Sequence, residues 1–398
     1  MTTITDQNSL DFSQFQAHFC LVSDQAAANF LPIAHFKPKH VVLIVSPKMK
    51  EKADWLEAAI KKAAPGTRIR QIDIKEEPNE NIFYWASEIE KLKEKRPVVN
   101  LTGGTKLMAF AAMRAANLAG CPAFYLDQFN SFITVFPSGE STEKVPSFSM
   151  EFKPKLQYYF ASYGYDCTKD PEAAKPMKNE EKEFVRELVM KPELRNVVPM
   201  MNGLVAAAEG KNRTNGLKDM MDKMNPNLQE SIRVWIRNFE DAGYLKKEGD
   251  ELCFDGEEER FYVAGGWMEK YVAGCLSELG KRPFLNLEVK IGNVKNEFDV
   301  AFFDQNCPCI IECKTSQMQA SKSANKTRQK QVNQFANDVV YKLETLRKTG
   351  GLNTKLFLVS YQEVAKQAKD RAKQSNIVVI DGERIKDLKA WIRKGLAV

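Results

Sequence analysis

Residues 297–316 read EFDVAFFDQNCPCIIECKTS, where Asp299, Glu312 and Lys314 interrupt two apolar runs with charge. Side chains alternate faces along a strand. Asp299 therefore shares a face with Ala301 and Phe303, and Glu312 shares one with Ile310 and Lys314. Asp304 to Pro308 is turn chemistry, so the runs read as a β-hairpin that brings Asp299 close to Glu312 and Lys314. Two carboxylates and an amine in an apolar setting are unfavourable unless they pair or bind a metal. Phosphodiester hydrolysis uses such a group. A divalent cation offsets phosphate charge and generates hydroxide near neutral pH. Carboxylates are the ligands that Mg2+ and Mn2+ take, and a lysine steadies the attacking water or the developing charge. Upstream, Glu269 sits beside Trp267, Tyr271 and Val272 in a helical stretch, from which it can point inward and join the cluster. Downstream, SKSANKTRQKQ (321–331) holds Lys322, Lys326, Arg328 and Lys330 with no acid, a run suited to nucleic-acid phosphates. The plainer reading is a surface salt bridge, and Ile310 and Ile311 weigh against it by implying a buried face.

A second group lies in VVNLTGGTKLMAFAAMRAANLAG (98–120): an apolar strand, a glycine turn and an alanine-rich helix. Gly103 and Gly104 let the backbone approach a ligand, and the helix start offers free N–H groups and a positive dipole. Thr102, Thr105 and Lys106 add hydroxyls and a cation, so the loop suits an anion such as phosphate. It is neither G-x-x-x-x-G-K-[ST] nor G-x-G-x-x-G, which argues against ATP hydrolysis and NAD binding. A tight turn capped by threonine is the plainer alternative.

The elements that must position these groups fall into three stretches. Residues 19–136 alternate short apolar segments with helical patterns, which argues an α/β unit with a mainly parallel sheet covered by helices. Residues 141–180 hold four prolines and little periodicity and read as a boundary. Residues 181–254 read as mainly helical. Their last helix buries Ile232, Trp235, Ile236 and Phe239, stops at Gly243 and leads into a hairpin. A small connecting domain is the preferred reading, and a winged helix-turn-helix is compatible. From Arg260 the order is α-β-β-β-α-β-α-β-α. Its long helix at 330–351 has Val332, Phe335, Val339, Leu343 and Leu346 on the apolar face.

The chain has 398 residues and a net charge of +6, which permits a nucleic-acid partner without requiring one. No apolar run approaches the ~18 residues that cross a bilayer, and the N-terminus lacks a basic segment followed by an apolar one. A cytoplasmic protein with no membrane partner is expected. Eight cysteines include several in apolar runs, which suits reduced thiols packed as small hydrophobes. Cys307, Cys309 and Cys313 are spaced as zinc ligands can be, but with no histidine nearby they read as strand thiols.

A helix glutamate, a strand aspartate and a strand E-x-K, in this order over about 256–398, resemble the PD-(D/E)xK nuclease superfamily, whose domain is restriction-endonuclease-like. The resemblance implies that Asp299, Glu312 and the main-chain carbonyl of Cys313 bind metal, with Lys314 catalytic and Gln317 assisting. Phe298, not proline, precedes Asp299, and that proline is often absent in the superfamily. The stretch LTGGTK after a strand, with LVSDQAAANFLPI (21–33) as first strand and loop, resembles the CARF family over about 15–140. These are Rossmann-like sensors of cyclic oligoadenylates in CRISPR defence. That likeness implies activator contacts from Ser23, Asn29, Thr102, Gly103, Gly104, Thr105 and Lys106, and a homodimer with the ligand across its two-fold axis. The combination resembles the ancillary nucleases of type III CRISPR systems. The expectation is a sensor at 1–145, a connector at 146–255 and a nuclease at 256–398. Cyclic tetra-adenylate would switch on Mn2+- or Mg2+-dependent cleavage of DNA and/or RNA. Two rivals remain: a ligand-responsive transcription regulator with 181–254 as a winged helix, and a constitutive restriction-type endonuclease.

Overall fold

The computed structural model describes residues 11–74, 81–139, 145–208, 210–320 and 324–397. Two apolar runs seed the first unit: β1 (Ala17–Leu21) is buried throughout and β2 (His40–Val45) nearly so, as parallel strands covered on both faces must be. Between and after them come α1 (Ala27–Phe36), α2 (Lys50–Ala63), β3 (Arg68–Asp73), α3 (Ile82–Glu90), β4 (Pro97–Asn100), α4 (Lys106–Leu118), β5 (Ala123–Asp127), β6 (Phe132–Phe136) and β7 (Ser147–Ser149). The sheet order is β3-β2-β1-β4-β5-β6-β7. Pairs from β3 to β5 are parallel, and β5-β6-β7 is antiparallel. The order reverses between β1 and β4. The loops that follow these strands therefore open side by side, where doubly wound sheets bind ligands. The sheet also runs past residue 145, since Ser147–Ser149 pairs with β6.

The connector begins with α5 (Leu156–Ala161) and β8 (Asp166–Cys167). It continues through α6 (Asn179–Met190), α7 (Val197–Ala206), α8 (Leu217–Met221), α9 (Pro226–Asp241), β9 (Lys246–Glu248), β10 (Glu251–Cys253) and α10 (Glu257–Phe261). The apolar face expected of α9 is buried as Ile232, Trp235, Ile236 and Phe239. α7, α8 and α9 are followed by the β9–β10 hairpin, and Arg213 bridges to Cys253 beside it. The outward face of α9 mixes signs, and Arg233 is paired with Glu230, so it makes no basic stripe.

The third unit contains α11 (Trp267–Glu278), β11 (Phe284–Ile291), β12 (Val294–Asp304), β13 (Cys307–Lys314), α12 (Lys326–Gly350), β14 (Lys355–Ser360), α13 (Lys366–Gln374), β15 (Ile377–Asp381) and α14 (Leu388–Leu396). The sheet order is β15-β14-β13-β12-β11-β8, so the connector lends it an edge strand. On the long helix, Val332, Val339, Leu343 and Leu346 are buried as expected, but Phe335 is 40% exposed. It lies toward the start of the helix, at a cleft between α12 and α7.

One apolar core joins the first unit to the third. It passes from α1 and α2 through Tyr159, Phe160 and Tyr163 to Phe298, Phe303, Ile310 and the inner face of α12. Ring centroids stand 6.2 Å apart for Phe30 and Tyr159, 5.1 Å for Tyr159 and Phe303, and 5.4 Å for Phe160 and Phe298. The opposite sheet face, with Val300, Phe302, Ile311 and Phe357, packs on α11 and the connector.

Candidate active site and sensor loop

The β12–β13 ladder pairs Val300 with Ile311 and Ala301 with Ile310. This register fixes the alternation: Ala301, Phe303 and Ile310 enter one core, while Val300, Cys309, Ile311 and Cys313 enter the other. The turn is tighter than expected, with Gln305 in the left-handed region at φ 53°. Asn306 ties it to the first unit: its Oδ1 accepts from the Phe152 N–H at 2.8 Å and its amide donates to the Met150 carbonyl at 2.6 Å. Gln128 donates to the Asn306 carbonyl at 3.0 Å.

At the open end of the hairpin Asp299 Oδ2 accepts from the Cys313 N–H at 2.7 Å. Lys314 Nζ lies 2.7 Å from Glu312 Oε1 and 3.7 Å from Asp299 Oδ2, and donates to the Cys313 carbonyl at 3.1 Å. Glu312 is 1% exposed, and its Oε2 has no hydrogen-bond partner. A buried carboxylate oxygen without a partner is unfavourable, and a cation would satisfy it. Burial, with Asp299 beside it, pushes the Glu269 carboxyl up to about 9, so α11 presents a protonated acid to this cluster at neutral pH. Burial, reinforced by Glu312, also raises Asp299 above the usual carboxylate range. Burial opposes charge on Lys314, but Asp299 and Glu312 outweigh it and hold the ammonium above the usual lysine range.

Among the described residues no three His, Cys, Asp or Glu side chains form a metal cage. The oxygen donors here are two carboxylates and a main-chain carbonyl, a set that suits Mg2+ or Mn2+. The thiols of Cys309 and Cys313 are buried and pushed well up by burial, as packed thiols are.

Gln317 Oε1 accepts from Arg328 at 3.2 Å. Both line a cavity of about 430 Å3 with Pro199, Met200 and Phe335. Lys326, Arg328 and Lys330 are exposed on the first turns of α12, and Lys322 lies outside the described residues. Lys342 was missed by sequence reasoning. It reaches from α12 to Glu312 Oε1 at 3.2 Å, and its only signal was a long cation flanking the stripe of Val339 and Leu343.

In the sensor loop, a Cβ on Gly103 would stand 2.1 Å from the Leu21 carbonyl oxygen, so only glycine allows this approach. Asn29 is wholly buried. Its amide donates to the Leu21 carbonyl at 2.8 Å and its oxygen accepts from Asn100 at 2.9 Å, so it shapes the loops from beneath. Thr102 Oγ1 accepts from the Leu126 N–H at 2.8 Å, and Thr105 caps α4 by accepting from the Met108 N–H at 3.2 Å. Gly104 takes φ 75°. Thr105 and Lys106 are exposed, and Ser23, half-buried in the neighbouring loop, accepts from the Gln25 N–H at 3.3 Å.

Two family comparisons match these two sites. Residues 17–157 match the Card1 CARF domain, and residues 255–397 match the Card1-like endonuclease domain. The chain joins a CARF domain to a Card1-like endonuclease domain. Among solved structures, Can2 from Sulfobacillus thermosulfidooxidans in complex with cyclic tetra-adenylate superposes with a TM-score of 0.70 at 20% identity, covering 96% of this chain and 97% of that one. Protein VC1899 from Vibrio cholerae gives 0.74 at 18% identity, with 96% and 98% covered. A type III CRISPR defence DNA nuclease activated by cyclic oligoadenylate gives 0.50 at 18%, covering 92% of this chain and 48% of that one. These likenesses are of fold. No curated protein sequence matches the chain. The CARF domain thus supplies the loops after β1 and β4, and the endonuclease domain supplies the hairpin and α12.

Proposed function

We propose that this chain is a cyclic oligoadenylate-activated, metal-dependent endonuclease of type III CRISPR defence, with cyclic tetra-adenylate as activator. One observation carries the reading: Lys314 Nζ sits among Glu312 Oε1, Asp299 Oδ2 and the Cys313 carbonyl, so a positive charge already marks where three oxygen donors meet. Asp299, Glu312 and that carbonyl would hold Mn2+ or Mg2+, which when bound supplies charge neutralisation and an activated water. Lys314 keeps its proton at neutral pH and donates hydrogen bonds to a phosphate oxygen or to that water. Glu269, raised by burial and by Asp299, faces the same cluster from α11. Gln317 and the basic start of α12 orient the nucleic acid. Three cations at a helix N-terminus oppose its dipole, and a bound polyanion relieves that opposition.

The activator reading rests on the loops after β1 and β4, with Thr105, Lys106 and the free N–H groups of α4 facing an anion. A homodimer is supported by apolar side chains exposed on the packed pair α3 and α4: Phe83 at 78% and Phe110 at 73%, with Leu107 and Leu118. Among the described residues no helix is long and apolar enough to cross a membrane. Eight free cysteines, six of them buried, fit a cytoplasmic setting.

The test incubates protein and Mn2+ or Mg2+ with plasmid, single-stranded DNA and single-stranded RNA, with and without cyclic tetra-adenylate. Cleavage should need both metal and activator, and Glu312→Ala should lose it while still binding activator. Activator-independent cleavage would favour a constitutive endonuclease. Activator binding without cleavage of any substrate would favour the transcription-regulator reading.

A further inference from the structure

Lys342 enters the active site from α12, and the proposed function gives it no part. Its ammonium lies 3.2 Å from Glu312 Oε1, the oxygen that also accepts from Lys314 at 2.7 Å. The Lys342 side chain is 51% exposed while Glu312 is sealed at 1%. Two ammonium groups therefore face the two carboxylates Asp299 and Glu312, so the protein's own cations already answer the charge that a divalent ion would use. Lys314 belongs to the hairpin and moves with it. Lys342 does not.

Both sides of this contact are tied to Gln128, and the α12 side is tied in addition to the loop after β1. The hairpin turn is tied at Asn306 to the 150–152 segment and to Gln128. The far end of α12 is also tied to Gln128, through Asn353 at 2.9 Å, and additionally to the loop after β1, where the Leu352 N–H donates to Gln25 Oε1 at 2.9 Å. Tyr159 donates to the Gly350 carbonyl at 2.9 Å. Tyr163 packs so closely on Gly351, at φ 83°, that a Cβ there would stand 2.2 Å from its hydroxyl. That same hydroxyl accepts from the Ala27 N–H at 3.2 Å, at the start of α1. Arg371 stacks 3.8 Å over the Tyr341 ring, which braces α12 next to Lys342. A shift of the 22–26 loop thus has a direct route to the end of α12 through Gln25, Ala27 and Tyr163.

Resting on the nuclease reading above, we propose that Lys342 is a positioning residue that holds Glu312 against the divalent cation, and that movement of the 22–26 loop on activator binding draws it away along α12. Lys342 acts through Glu312 and is assigned no contact with substrate.

Mn2+ binding to the full-length protein, measured by titration calorimetry without nucleic acid, tests this. Lys342→Met and Lys342→Gln should bind Mn2+ about tenfold more tightly than wild type, because both lose the charge. Lys342→Arg should match wild type. Cyclic tetra-adenylate should raise the wild-type affinity toward that of Lys342→Met and leave the variant unchanged, as reciprocal linkage requires. Equal or weaker Mn2+ binding by Lys342→Met overturns the proposal. An activator effect as large in Lys342→Met as in wild type overturns the coupling through Lys342. Glu312→Gln separates these from a failure of the nuclease reading: Mn2+ binding undiminished in that variant, or absent from wild type and Lys342→Met alike, removes the metal site itself.

Discussion

At Glu269, burial and the neighbouring Asp299 keep a proton on the carboxyl to about pH 9. The unfolded chain releases that proton near the ordinary value of 4.5. Between these values the folded state binds more protons than the unfolded one, so this group's contribution to stability falls as pH rises from about 4.5 toward 9. Glu269→Gln removes the titration and keeps the shape. It should unfold at the same temperature as wild type near pH 4.5 and a few degrees higher at pH 8.5, roughly 2–4 °C per kcal/mol relieved. Thermal scans in metal-free buffer at the two pH values check this. A difference that does not grow with pH would mean that Glu269 is ionised in the folded protein.

At the scale of elements, α12 does three jobs along a length of about 37 Å. Its start is basic, its middle reaches Glu312 and its end meets the CARF domain. Replacing Lys326, Arg328 and Lys330 together with glutamine should weaken nucleic-acid binding across sequences. The slope of log K against log salt should shrink by about 2 to 3, and activator affinity should not change. An unchanged slope in fluorescence anisotropy would take these residues off the binding face. A second element-level prediction concerns the turn from α10 into α11. Gly265 sits there at φ 137°, and a Cβ would stand 2.6 Å from Thr315 Oγ1, just after the E-x-K strand. Gly265→Ala should destabilise by about 1–3 kcal/mol in denaturant titration and lower cleavage in step.

How much of this the sequence shows depends on the length of its patterns. The hairpin was legible because period-two alternation over β12 and β13 decides which charges share a face. The doubly wound sheet was legible because β1, β2 and β4 are near-continuous apolar runs. Ser147–Ser149 and Asp166–Cys167 were not, since strands of three and two residues carry no period. Phe335 fits the helical stripe but is exposed, because the stripe continues past the surface it covers. Asn29 reads as a loop polar group yet is buried, since the Leu21 carbonyl and the Asn100 amide, brought to it by the fold, set its role. Lys342 lies far along the chain from Glu312, and only the packing of α12 on the sheet brings them together.

Over the whole molecule, the core that runs from α1 and α2 through Tyr159 and Phe160 to the second sheet makes the sensor and the nuclease parts of one packed body. Calorimetry of the apo protein should show a single cooperative transition for the CARF and endonuclease domains. Two separated transitions would mean that the shared core contributes little. Tyr163→Phe removes the hydroxyl that receives the Ala27 N–H and abuts Gly351, and should lower the coupling between activator and cleavage while both domains stay folded. This continuity also bears on how such proteins can diversify. A sensor bounded at residue 145 cannot be traded between relatives as a free cassette, because the recipient would inherit a sheet face fitted to another partner's aromatics. Successful chimaeras should carry α5 and the 150–152 segment with the sensor, so exchange of ligand preference by recombination is expected to break beyond Tyr163 and not at the end of the first sheet.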